Sequence, residues 1–332
     1  MIQIAVIGAG SWGTALSNVL AKAGYPVRLW VYEPELAEQI RQNRVNHIYL
    51  PGFAFPSGLE VSNSLEFCLN SADIVVSVVP SQYCRGLYRQ MLPHIRAQMI
   101  FVSATKGIEC ETFQTMSSVI NEVLSPRIAP RIAVISGPSF AREVARGDPT
   151  AVVVASREKD ISEFIQRVFS GPTWRLYSST DVAGVEMGGA VKNVIAIAAG
   201  VCAGLGFGSN TIAALITRGL AEMTRLALAC GGRRETLAGL AGLGDLVLTC
   251  TGELSRNRSV GLKLGQGQRL AEILNSTPMV AEGVMTTRAT IELSRRFQVE
   301  MPITEQMELV LYHDKPPLEA IRDLMERRLK EE

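Results

Sequence analysis

Three kinds of residue in this chain have types and spacings that can do chemistry: a glycine triplet near the start, a few isolated lysines, and a compact arginine cluster. Gly8, Gly10 and Gly13, with Ser11 and Trp12 between them, form GxGxxG directly after the apolar run Ile2 to Ile7 and before the helix-like run Thr14 to Ala23. In that setting Gly8 permits a tight turn, Gly10 lets backbone approach a pyrophosphate, and Gly13 lets helix and strand pack closely. The helix start adds free N–H groups for phosphate. Lys192 stands with Asn193 inside Val185 to Gly208, a run whose middle is otherwise nearly all small or apolar residues. A lone lysine on a helix usually snorkels to water. Here Gly188, Gly189, Gly200, Gly204 and Gly206 surround it, and they predict close approach of other chain or of a ligand, so the ammonium is expected in a buried site between two domains. The run is long enough to cross a bilayer, but it carries Lys192 and Asn193 and has more Gly and Ala than Leu and Phe. A transmembrane span is therefore rejected.

The elements that must position these groups alternate in type. Val27 to Tyr32, Asp73 to Val79, Met99 to Ser103, Arg131 to Ile135 and Thr150 to Ala155 read as further strands, with a helix over Ser81 to Leu92. Strand and helix in turn predict a parallel, doubly wound sheet whose ligands lie at the strand C-terminal ends. Lys106 and the segment Ser136 to Ala141 both follow such ends. Glu33 comes about 20 residues after the glycines, where an acid can hold a ribose 2′-hydroxyl. It also precedes Pro34, so it reads equally as the start of a helix. Arg28 lies too early in its strand to serve a 2′-phosphate.

From about Thr180 the strand-like runs stop. Ser209 to Thr211 offer an N-cap for a helix with Ile212, Leu215, Ile216, Leu220, Met223 and Leu226 at helical spacing. Asp245 is the single charge in the Gly- and Leu-rich run Leu237 to Cys250, either capping a helix or accepting hydrogen bonds from a ligand. Ser255, Arg256, Asn257 and Arg258 by composition read as a solvated helix start, and Pro317 to Glu332 as an amphipathic surface helix. The expected architecture is α/β: a Rossmann-like sheet domain over 1–180 and an all-helical domain over 181–332.

Composition bounds the function. The 332 residues are 47% hydrophobic and 20% charged, and 33 Lys+Arg against 32 Asp+Glu give a net charge of +1. That balance gives no electrostatic case for nucleic acid or an anionic membrane as partner. Six scattered cysteines without a CxxC pair, and three histidines without ligand spacing, predict neither a disulfide scaffold nor a metal site. No secretory signal is visible at the start, so a reduced, cytoplasmic protein is expected.

GAGSWGTALS near the start, Tyr49-Leu50-Pro51, ATKGIE at 104–109, SGPSFAREVA at 136–145, GVEMGGAVKNVIAIAAG at 184–200, GLAGLGDLVLTC at 239–250, SRNR at 255–258 and Val280 to Gly283 occur in this order. Taken together the chain resembles, end to end, the bacterial-type NAD(P)-dependent sn-glycerol-3-phosphate dehydrogenases. The resemblance implies reduction of dihydroxyacetone phosphate for phospholipid synthesis, a homodimer, and NAD or NADP as cofactor. It implies Lys192 as acid/base with Lys106 and Asp245 beside it. Cofactor contacts would come from Gly8, Gly10, Ser11, Trp12, Gly13, Tyr32, Glu33, Lys106, Ala141, Arg256, Val280 and Glu282. Substrate contacts would come from Lys106, Gly137, Ser139, Lys192, Asp245, Ser255, Arg256 and Asn257. Many relatives have Arg after the second strand where this chain has Val31-Tyr32-Glu33, which tilts the expectation towards NADH. Two rivals are a lysine-dependent dehydrogenase of carboxylate substrates and a dinucleotide sensor without catalysis.

Overall fold

The computed structural model describes residues 1–276 and 281–329. Eight strands form one sheet: β1 (Ile4–Ile7), β2 (Val27–Trp30), β3 (Leu59–Ser62), β4 (Ile74–Ser77), β5 (Ile100–Ser103), β6 (Arg131–Ser136), β7 (Thr150–Ala155) and β8 (Trp174–Ser179). Their spatial order is β3-β2-β1-β4-β5-β6-β7-β8. The order reverses beside β1, the crevice where open α/β sheets take ligands. The central strands β1, β4 and β5 are wholly buried, which explains their unbroken apolar runs.

Helices α1 (Ser11–Lys22), α2 (Pro34–Asn43), α3 (Leu65–Leu69), α4 (Cys84–Met91), α5 (Met116–Leu124), α6 (Ala141–Arg146) and α7 (Lys159–Phe169) connect the strands. After β8 the described chain is helical: α8 (Val182–Gly204), α9 (Ser209–Ala229), α10 (Arg234–Ala238), α11 (Asp245–Thr251), α12 (Arg256–Gly265), α13 (Leu270–Asn275), α14 (Glu282–Phe297), α15 (Pro302–Tyr312) and α16 (Pro317–Met325).

The sheet is parallel from β3 to β6, but β7 runs antiparallel to β6 and β8 follows β7 in parallel. The expectation of a fully parallel sheet is corrected here. Six-residue β6 spans about 20 Å, whereas six-residue α6 rises about 9 Å, too short to carry the chain back to the start of the sheet. The next strand therefore starts beside the end of β6 and descends. Helix α8 then climbs again along β6: Val185 packs with Val134, and a Cβ on Gly189 would stand 2.4 Å from the Ser136 hydroxyl at the strand's end.

Helix α8 is the rod of the helical part, touching α9, α11, α12, α14 and α15. Its glycines do what their spacing predicted at four of the five positions. A Cβ would meet Ala241 O from Gly188 at 2.5 Å, the Ser136 hydroxyl from Gly189, Arg258 O from Gly200 at 2.0 Å and Leu262 O from Gly204 at 2.3 Å. Gly206 instead sits in the left-handed region with nothing near its Cβ direction, so it serves the turn after the helix. On α12, Gly261 and Gly265 return the contact against Ile197 and Val201. By length and composition α8 could cross a bilayer, yet 89% of its most apolar window is buried inside the protein. The cap expected from Ser209 to Thr211 is not used, because Gly208 precedes α9 as its N-cap residue.

Candidate active site

Between sheet and helices lies a cleft of about 540 Å³. One wall is the glycine turn. Gly8 has φ +118°, and a Cβ there would fall 2.4 Å from Val78 O; on Gly13 it would fall 1.9 Å from Gly8 O. Side chains are excluded at both by contact with the chain itself. Gly10 has open space instead, so its missing side chain matters to what enters the cleft. Helix α1 begins at Gly10 without a side-chain cap, which leaves its first N–H groups for an anion. Ser11 turns its hydroxyl to Tyr49 O at 2.6 Å, and Trp12 lines the cleft while its ring packs on Trp174. Buried Asn46, which sequence reasoning missed, donates to Ala9 O at 2.8 Å and Thr14 Oγ1 at 3.0 Å. It straps the loop carrying Tyr49 against the turn.

The opposite wall carries the charges. Lys192 of α8 and Asp245 at the start of α11 are 5% and 1% exposed. Lys192 Nζ donates to Asp245 Oδ1 at 2.5 Å and to Thr249 Oγ1 at 2.7 Å. Lys106, beyond the end of β5, donates to Asp245 Oδ2 at 2.7 Å and to Gly137 O at 3.0 Å. Each ammonium has three N–H donors, so each keeps one for a guest. Burial brings the Lys192 pKa down to about 8; Asp245 pulls it up and the charge of Lys106 pushes it down. The Thr249 hydroxyl passes its own hydrogen to Asp245 O at 2.6 Å. Thr249 was not among the sequence candidates; its signal was the four-residue spacing from Asp245, one helical turn on the same face.

The arginine cluster forms the third side. Ser255 N-caps α12 by accepting from Arg258 N at 3.2 Å. The residue after it, Arg256, is exposed towards the cleft and makes no ion pair among the described residues. The helix start read from composition is real, and it opens into the cleft. Asn257 is held at both ends of its amide, donating to Asn193 Oδ1 and accepting from Gly283 N, both at 2.9 Å. Glu282 lines the cleft and accepts from Ser81 N at 3.0 Å and Ser81 Oγ at 2.7 Å. Burial raises its pKa, opposed by the Ser81 hydrogen bonds and then by Arg256.

Most predicted residues meet at this cleft: Gly10, Ser11, Trp12, Gly13, Lys106, Ser139, Ala141, Lys192, Asp245, Ser255, Arg256, Asn257 and Glu282 all line it. Gly8 lies under the turn, and Gly137 contributes its carbonyl to Lys106 and to Ser139 Oγ. Tyr32 and Glu33 stand outside the lining, Glu33 joined to it through the Tyr49 hydroxyl at 3.2 Å. Val280 lies outside the described residues. Arg28 is bound to Glu60, Phe67 O and Asn70 O, away from the cleft as its strand position implied.

An uncapped helix start behind a glycine turn, an open Gly10, and a buried amine across the same cleft fit a dinucleotide with a small second substrate. The class is therefore that of dinucleotide-dependent dehydrogenases on a doubly wound sheet. Family models described as the NAD-dependent glycerol-3-phosphate dehydrogenase N-terminus and C-terminus match residues 3–162 and 181–322. The chain belongs to the NAD-dependent glycerol-3-phosphate dehydrogenase family. It is 56% identical to glycerol-3-phosphate dehydrogenase [NAD(P)+] of Koribacter versatilis over 329 residues, 98% of each chain. To the Geobacter sulfurreducens protein of that name it is 55% identical, over 99% of this chain and 98% of the relative. The crystal structure of glycerol-3-phosphate dehydrogenase from Coxiella burnetii superposes with a TM-score of 0.94 at 42% identity, covering 98% of this chain and 99% of that one.

Proposed function

We propose that the chain interconverts dihydroxyacetone phosphate and sn-glycerol 3-phosphate with NAD or NADP, supplying glycerophospholipid synthesis. The observation that carries this reading is the Lys192 ammonium, buried on Asp245 and Thr249 with one N–H left for a substrate oxygen. When bound, the nicotinamide supplies or takes up the hydride. Lys192 donates its free N–H to the ketone oxygen and then its proton to the alkoxide, becoming neutral amine; in the reverse direction it takes that proton back. Asp245 holds both lysines and keeps the site from carrying two uncompensated positive charges. Lys106 braces the substrate from the sheet side. Arg256 and the N–H groups at the start of α12 receive the phosphate.

The proposal takes residues 1–180 as the dinucleotide domain and 181–332 as the substrate domain. It extends to a homodimer in the cytoplasm, in keeping with six free cysteines. The direct test is oxidation of NADH or NADPH on adding dihydroxyacetone phosphate. No turnover with either dinucleotide refutes it, and turnover of a simple 2-oxo acid instead would favour the carboxylate rival.

Two further outcomes are expected. Reduction needs charged Lys192, so its kcat/KM should fall as pH rises through about 8. Oxidation of glycerol 3-phosphate needs the neutral amine and should rise across the same interval. Profiles moving in the same direction would remove the titrating lysine from the chemistry. Arg256→Ala should raise KM for dihydroxyacetone phosphate about 100-fold, the loss of one charge-assisted anion contact. Turnover of unphosphorylated dihydroxyacetone should hardly change. An unaltered KM would place the phosphate elsewhere.

A further inference from the structure

We infer that Glu33, held in place by Tyr49, makes this enzyme select the dinucleotide with a free ribose 2′-hydroxyl, NADH, over the 2′-phosphorylated NADPH. The inference rests on the dehydrogenase reading above and deepens it. By position Glu33 could be an acid for the ribose or the residue that opens α2; it does open α2, and its side chain is left over for the first role. Its backbone occupies the N-cap position of α2, but its side chain makes no capping hydrogen bond. The carboxylate accepts instead from Tyr49 Oη at 3.2 Å.

Tyr49 is itself fixed to the glycine turn. Its N–H donates to Asn46 Oδ1 at 3.1 Å, its carbonyl accepts from Ser11 Oγ, and Asn46 is bonded in turn to Ala9 and Thr14. The carboxylate therefore stands just past the end of β2, the strand beside β1, one hydrogen bond from a residue that lines the cleft. That is where a Rossmann-type sheet meets the adenosine ribose. A carboxylate there accepts from a 2′-hydroxyl and repels a 2′-phosphate.

The arginines of β2, of α2 and of the position that ends α2 are bound elsewhere. On β2, Arg28 pairs with Glu60 and donates to Phe67 O and Asn70 O. On α2, Arg41 pairs with Glu38. Arg44, which ends that helix, donates to Leu59 O and Pro56 O. Past the end of β2 this chain presents exposed Tyr32 and the tethered acid.

The test is to titrate the full-length enzyme with NADH and, separately, NADPH by nicotinamide fluorescence, then to assay both with dihydroxyacetone phosphate. NADH should bind about 100-fold more tightly. Glu33→Gln should narrow that gap at least about tenfold, chiefly by improving NADPH. Tyr49→Phe should narrow the gap in the same sense, weakening NADH severalfold with NADPH little changed, a split that loss of fold would not give. NADPH binding as tight as NADH in the native enzyme, or Glu33→Gln leaving the ratio unmoved, overturns the inference. Selective NADH binding without turnover of dihydroxyacetone phosphate would leave the inference standing and defeat the proposed function instead. Equal kcat/KM with both dinucleotides would do the reverse.

Discussion

Lys192→Ala should lower turnover by about a thousandfold or more, within the range that a positioned proton donor contributes, while NADH still binds. The variant removes the only amine in the cleft that touches both Asp245 and Thr249 among the described residues. The dinucleotide wall loses nothing, because the glycine turn, Ser11 and Asn46 are held by bonds that do not involve α8. Steady-state rates together with cofactor titration separate the two effects. Lys192→Met, closer in volume, guards against collapse of the site. A variant that binds cofactor and turns over at near-native rate would end the assignment of Lys192 as the proton donor.

The largest effect on stability is expected from Gly261→Ala. A Cβ there would stand 1.9 Å from Ile197 O and 2.9 Å from Val201 N, both backbone atoms of α8. Neither can swing aside, so α8 and α12 must separate, and the neighbouring approaches at Gly200, Gly204 and Gly265 loosen with them. Overpacking of this kind costs about 3 kcal/mol, read as a drop in the denaturant midpoint. Gly86→Ala on α4, where nothing lies within 4 Å of the added carbon, should be neutral or slightly stabilising, as a glycine replaced within a helix. Equal midpoints for Gly261→Ala and the native protein would mean that the helices do not pack this closely.

What could be read in the sequence follows from how local each signal is. The glycine turn was legible because its three glycines, the strand before and the helix after are contiguous. Strands β1, β2, β4, β5, β6 and β7 were legible as apolar runs. The edge strands β3 and β8 were not, because LEVS and WRLYSS each leave some side chains exposed or only half-buried, which breaks the run. Lys192 stood out as a charge among small residues, and Asp245 for the same reason. Thr249 did not, since a threonine in a leucine-rich helix has no composition signal, and its role appears only when α8 is laid against α11. Ser81, Asn46 and the carbonyl of Gly137 are of the same kind: their partners are 201, 37 and 31 residues away. The reversal of β7 was hidden for another reason. It depends on the length of α6, and helix ends are the part of a pattern that periodicity defines least well.

That reversal has a consequence for how the reactive amine is placed. Because β8 descends, α8 starts low against β6 and must rise past it before Lys192 clears the strand end beside Lys106. From Asp181 to Lys192 the helix acts as a measuring rod of fixed count, about 1.5 Å and 100° per residue. Side chains along it can be exchanged if they stay small. Their number cannot, because one inserted residue would swing the amine a quarter-turn off its carboxylate, and a whole inserted turn would overshoot the sheet by about 5 Å.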